Sequence, residues 1–136
     1  MPWMSWEPEL SVGVKEMDDE HRELIGMLNE IHASTAANRN GRELSHLVER
    51  VVARAKAHFA HEERLLEEAA YSEAGAHYRE HDRMIAKALS VQAAFHCGSP
   101  SALSEEFFDF LRDWLLHHIR ECDKLYGPSL NAKGIY

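Results

Sequence analysis

Cysteine, glycine, proline and basic charge are all scarce in this chain of 136 residues. Two cysteines, Cys97 and Cys122, are too few for a disulfide scaffold and fit a reducing compartment, so a cytoplasmic location is expected. Seven glycines and four prolines offer few breaks, and with many Ala, Leu, Glu and Arg this favours helix over sheet. Lys and Arg together number 15 against 23 acidic residues, and the formal net charge of −8 argues against non-specific nucleic-acid binding. No apolar run approaches the roughly 20 residues of a membrane span. The opening stretch MPWMSWEPEL lacks a basic region followed by an apolar one, so no signal peptide is expected. Hydrophobic residues make up 45% of the chain, enough for a core, and the length fits one domain over 1–136. What the chain has in excess is histidine, with ten.

The pattern predicts an extended arm over 1–17, docked through Trp3, Met4 and Trp6, because two exposed indoles would form an unusual apolar patch. Helices are expected over about 18–37, 41–68, 72–95 and 101–125. Asp18 reads as the cap of the first, with Asp19 and Glu20 in its opening turn, and Asn40 with Glu43 as a capping box for the second. His96 to Pro100 reads as a stop and restart, Gly127-Pro128 as the final stop, and 126–136 as a loosely packed tail. Four helices with short connections predict an all-α, antiparallel up-down-up-down bundle with an extended N-terminal arm.

Each helix carries histidine where a bundle interior calls for leucine. His21 lies in line with Met17, Leu24, Leu28 and Ile31. His58 and Glu62 share one face of the second helix, and His77 and His81 share one face of the third. Any one pair is weak evidence, since chance alone gives roughly 0.7 His pairs at i,i+4 in such a chain. Their joint placement is stronger, because buried imidazoles and a carboxylate without partners cost several kcal/mol. In the fourth helix the apolar set Leu103, Phe107, Leu111, Trp114, Leu115, Cys122 and Leu125 centres at about 40° from Phe107. His118 falls at about 20° and His117 at about 280°, so His118 faces inward and His117 with Glu121 is a solvated decoy. His32, His46, His61 and His96 read as peripheral, and the acidic neighbours of Glu62 as solvated surface.

The series Asp18-x-x-His21, His58-x3-Glu62, His77-x3-His81 and His118-Ile119-x3-Asp123 resembles the hemerythrin family in its single-domain bacterial form. That family includes myohemerythrin, itself an example of the up-down bundle. The resemblance covers essentially the whole chain and implies two iron ions in an oxo- or hydroxo-bridged centre. One iron would be held by His77, His81 and His118, the other by His21 and His58, with Glu62 and Asp123 bridging them. Imidazole and carboxylate suit iron, and the lack of thiolate argues against structural zinc. The resemblance further implies reversible dioxygen carriage or storage, with oxygen end-on at the under-coordinated iron. Its pocket would be formed by Leu24, Phe59, Trp114, Leu115 and Ile119. A monomer with an oxygen-consuming enzyme as recipient is the expected setting, and no catalytic residue is assigned. The alternatives are a di-iron redox enzyme or a sensor of dioxygen or nitric oxide.

Asp123 conflicts with a regular helix. Five residues after His118 it should point about 140° away. A π-bulge there, or a loosened last turn, is therefore expected. Cys122 is expected to be a small buried packing residue.

Overall fold

The computed structural model describes residues 2–37, 41–98 and 100–136. The expected turn over 38–40, the Asn40 cap and the Ser99 part of the restart lie outside them. Among the described residues there is no strand, and the helices form an antiparallel four-helix bundle. Helix α1 spans Lys15–Ala36, α2 Gly41–Glu68, α3 Ala74–His96 and α4 Glu105–His118; a π-helix at Ile119–Asp123 then leads into α5, Lys124–Ala132.

Amphipathic spacing explains the packing. Met17, His21, Leu24, Leu28 and Ile31 of α1 are buried at intervals of three and four, and Leu44, Val48 and Val52 of α2 at intervals of four. Helix α2 ends with Ala70 at φ 51°, while the N–H of Tyr71 reaches the Leu66 carbonyl and that of Ala70 the Glu67 carbonyl. This left-handed cap turns the chain back so that α3 packs along α2.

Three expectations are corrected. Helix α1 starts at Lys15 rather than Asp18, and its N-cap Val14 makes no side-chain cap bond. The Asp18 carboxylate instead accepts from the Ser11 hydroxyl at 2.6 Å and the Val12 N–H at 2.9 Å, clamping the arm onto the helix. The fourth helix does not begin at Ser101: a 3-10 turn covers Pro100–Leu103, and α4 opens after Ser104, whose hydroxyl accepts from the Phe107 N–H at 3.1 Å. Nor does it stop before Gly127-Pro128. Helix α5 runs through both, and Tyr126, Gly127 and Leu130 are buried, so the tail is a packed element.

Gly127 acts here through its size: a Cβ at that position would overlap the Val12 carbonyl oxygen. The arm is docked along this seam. Met4, Leu10, Val12 and Val14 are buried, Met4 exchanges hydrogen bonds with Asn29, and the Asn131 amide donates to the Gly13 carbonyl at 3.0 Å. Trp3 is half-buried, stacked on His32 at 4.9 Å and edge-on to Phe108 at 5.6 Å, while the Arg22 guanidinium covers Trp6 at 3.9 Å.

Candidate metal centre

The seven residues singled out by spacing meet inside the bundle. His21 comes from α1, His58 and Glu62 from α2, His77 and His81 from α3, His118 from the end of α4, and Asp123 from the end of the π-helix. None is more than 4% exposed. The π-helix is what admits Asp123. The Lys124 N–H bonds the Ile119 carbonyl, a five-residue step that brings Asp123 round to His118. The extra residue also turns everything downstream. Leu125, expected inside, is 63% exposed, and Tyr126 takes the inward position. Cys122 is only half-buried, and burial pushes its thiol pKa up.

Each carboxylate is shared between two sets of imidazoles. Glu62 Oε1 lies 2.6 Å from His77 Nε2 and 2.9 Å from His81 Nε2. Its other oxygen, Oε2, lies 3.4 Å from His58 Nε2 and 3.8 Å from His21 Nε2. Asp123 Oδ1 is 3.0 Å from His77 Nε2 and 2.9 Å from His118 Nε2, while Oδ2 is 3.2 Å from His21 Nε2. Two groups of donors result, one built on His77, His81 and His118, the other on His21 and His58.

Several of these close pairs are not hydrogen bonds. Nε2 of His21, His81 and His118 and both oxygens of Asp123 are buried without a hydrogen-bond partner. Nitrogen and oxygen lone pairs that crowd together without aiming at each other are aimed at a third point. Orphaned buried polar atoms are costly, and a cation between them removes the cost. The donors therefore fit a metal centre, and imidazole with carboxylate is a donor set that iron accepts.

The electrostatics agree. Burial would raise the carboxyl of Glu62, but His58, His77 and His81 hold it well below its ordinary range. Burial and the charge of Glu62 would raise Asp123, but His118 and His21 hold it low. Burial pulls His58 down, yet Glu20 and Glu62 bring it up to about 9. His77 is likewise lowered by burial and raised by Asp123 and Glu62 to about 10. Cations entering this cluster must displace protons from both rings.

A second layer orients the first. Phe59 stacks on His81 at 4.0 Å and Trp114 on His118 at 4.6 Å. Glu20, read from sequence only as an anion in the first helical turn, accepts from His58 Nδ1 at 2.7 Å and pairs with His61 Nδ1 at 2.7 Å. His61 is thereby tied to the site through Glu20. Tyr126, placed by sequence in a loose tail, donates its hydroxyl to Glu62 Oε2 at 2.9 Å. Both lie one residue from, or one helical turn beyond, a residue of the cluster, which is the signal that could have found them. Glu63, read as solvated surface, is half-buried with Oε2 3.7 Å from His81 Nδ1. His117, Glu121, His46 and His96 are exposed.

An apolar cavity of about 100 Å³ opens from His21, His58 and His118 and runs along the bundle to Val48, Val91 and Leu103. Leu24, Phe59, Trp114 and Leu115 are on its wall. Ile119 is wholly buried but packs in the core cluster with Leu115 and Tyr126 instead.

Known proteins share this plan. The profile described as hemerythrin HHE cation binding domain matches residues 12–130. The chain is 34% identical to bacteriohemerythrin of Methylococcus capsulatus, over 97% of this chain and 100% of that protein. It is 32% identical to bacteriohemerythrin of Stenotrophomonas maltophilia, over 97% and 84% respectively. The crystal structure of wild-type hemerythrin superposes with a TM-score of 0.88 at 32% identity, covering 94% of this chain and 98% of that one. A leucine-to-alanine variant of hemerythrin gives 0.89 at 31% identity, covering 96% and 98%. With its bundle, its buried His, Glu and Asp cluster and these matches, the chain belongs to the hemerythrin HHE cation-binding family.

Proposed function

We propose that this chain binds dioxygen reversibly, as a carrier or store, at a non-haem di-iron centre. His77, His81 and His118 would hold one iron, His21 and His58 the other, and Glu62 and Asp123 would bridge them. The single observation that carries this reading is the division of each carboxylate between a three-imidazole side and a two-imidazole side. Iron bound there would supply reversible electron exchange with dioxygen, and the two-imidazole side would offer it one protein ligand fewer than the other.

The residues around the site favour carriage over turnover. The cavity reaches both histidines of the two-imidazole side and, of the other three, only His118, so an apolar gas is led chiefly to the side with fewer ligands. Its remaining polar wall groups are His118 and Asp123, and no Ser, Thr, Tyr or Lys lines it among the described residues. A wall of Leu24, Phe59, Trp114 and Leu115 keeps water and protons away, which slows loss of electrons to bound oxygen. The partner is thus dioxygen itself, with an oxygen-consuming enzyme as recipient. Among the described residues no helix is long and apolar enough to cross a membrane. We read the chain as a cytoplasmic monomer without catalytic turnover.

Optical spectroscopy tests this. Iron-loaded protein in air should show oxo-bridged di-iron charge-transfer bands, bleach on reduction and recover them with oxygen over repeated cycles. A colourless protein after iron loading, or steady oxygen consumption with a reductant, would contradict carriage, the latter in favour of a redox enzyme.

A further inference from the structure

Tyr126 is the one hydroxyl among the described hydrogen bonds that reaches the buried cluster, and it addresses one oxygen of Glu62 only. Its OH donates to Oε2 at 2.9 Å. That oxygen faces His58 and His21, whereas Oε1 faces His77 and His81. The phenol is fully buried, and three features fix its position. The π-helix rotates α5 to bring residue 126 inward, Gly127 lets the backbone close onto Val12, and Asn131 ties the next turn to Gly13. A donor so constrained is part of the environment of Glu62 whether or not metal is bound.

We infer that Tyr126 is a positioning residue that lowers the donor strength of Glu62 toward the His21/His58 side and so keeps the metal there more readily ferrous. The inference rests on the di-iron reading above. A hydrogen bond donated to a ligating carboxylate draws electron density from the oxygen, and a weaker anionic donor stabilises the higher-charged ferric ion less. The two ends of Glu62 therefore become unequal ligands, although they belong to one side chain. The same bond restrains rotation of the carboxylate, holding Oε1 toward His77 and His81.

The test replaces Tyr126 by Phe and, separately, by 2,3-difluorotyrosine, in the full-length iron-loaded protein. Phenylalanine removes the donor with little change of shape; difluorotyrosine keeps the shape and donates more strongly. The reduction potential should fall in the Phe variant and rise in the difluoro variant, with the charge-transfer bands moving in opposite directions. Autoxidation should be about tenfold faster in Tyr126→Phe, the scale of one lost hydrogen bond to a charged group. In both variants the circular dichroism and iron content should match the parent. Shifts of the same sign in both variants would reveal mere packing damage and overturn the inference. So would unchanged potentials with oxygen binding intact, an outcome that leaves the oxygen-carrier reading standing. Failure of the parent protein to take up iron would overturn both.

Discussion

One end of the bundle interior is polar and tightly wrapped; the other is apolar and loosely filled. At the polar end the arm, α5 and the π-helix surround the His, Glu and Asp cluster, and Leu10, Met17, Leu66, Ile119, Tyr126 and Leu130 are almost fully buried. At the other end Ile31, Val48, Val52, Leu103 and Phe108 make a smaller cluster beside the cavity. The difference follows from what each end contains. Orphan lone pairs and like charges can be held together only where neighbouring side chains cannot yield. An apolar passage needs no such restraint, and a dry void among aliphatic side chains is tolerated.

Side-chain deletion should expose this contrast most strongly. Leu66→Ala, in the dense cluster, should cost about 4 kcal/mol in chemical denaturation, and Leu103→Ala, in the smaller cluster and on the cavity wall, about 2 kcal/mol. Equal costs would show that the two ends are packed alike. Side-chain growth gives the reverse and smaller test. Gly127→Ala places a methyl against the Val12 carbonyl and should cost about 2 kcal/mol, with faster proteolysis of the arm. Ala88→Leu, on the cavity wall, should change stability by less than about 1 kcal/mol despite adding three carbons. A larger loss at Ala88 than at Gly127 would reverse the comparison.

The same division runs through what could be read in the sequence. Helical periodicity identifies the inward histidines on α1, α2 and α3 because they repeat with their apolar neighbours, and it separates His118 from His117. The awkward spacing of Asp123 points to the π-helix, since a carboxylate at i+5 can reach His118 only through a wider turn. The consequence one turn later is harder to read. An inserted residue rotates the following face by about 100°, so Leu125 moves out and Tyr126 in. Gly127-Pro128 has the composition of a helix stop, yet the glycine serves a backbone contact with Val12, a residue more than a hundred positions away. Asp18 looks like a helix cap and Glu20 like a first-turn anion, because a partner from another element leaves no trace in local spacing. Leu89 of α3 is 40% exposed, although Ala88, Val91 and Phe95 beside it pack against the apolar cluster.

The central claim is that two metal ions sit between the three-imidazole and two-imidazole groups. Anaerobic titration of the metal-free protein with ferrous iron, followed by its absorption after admission of oxygen, measures this most directly. The account predicts an end point at two iron ions per chain, with both lost together in Glu62→Ala. An end point at one ion, or uptake of two that survives the loss of Glu62, would contradict it.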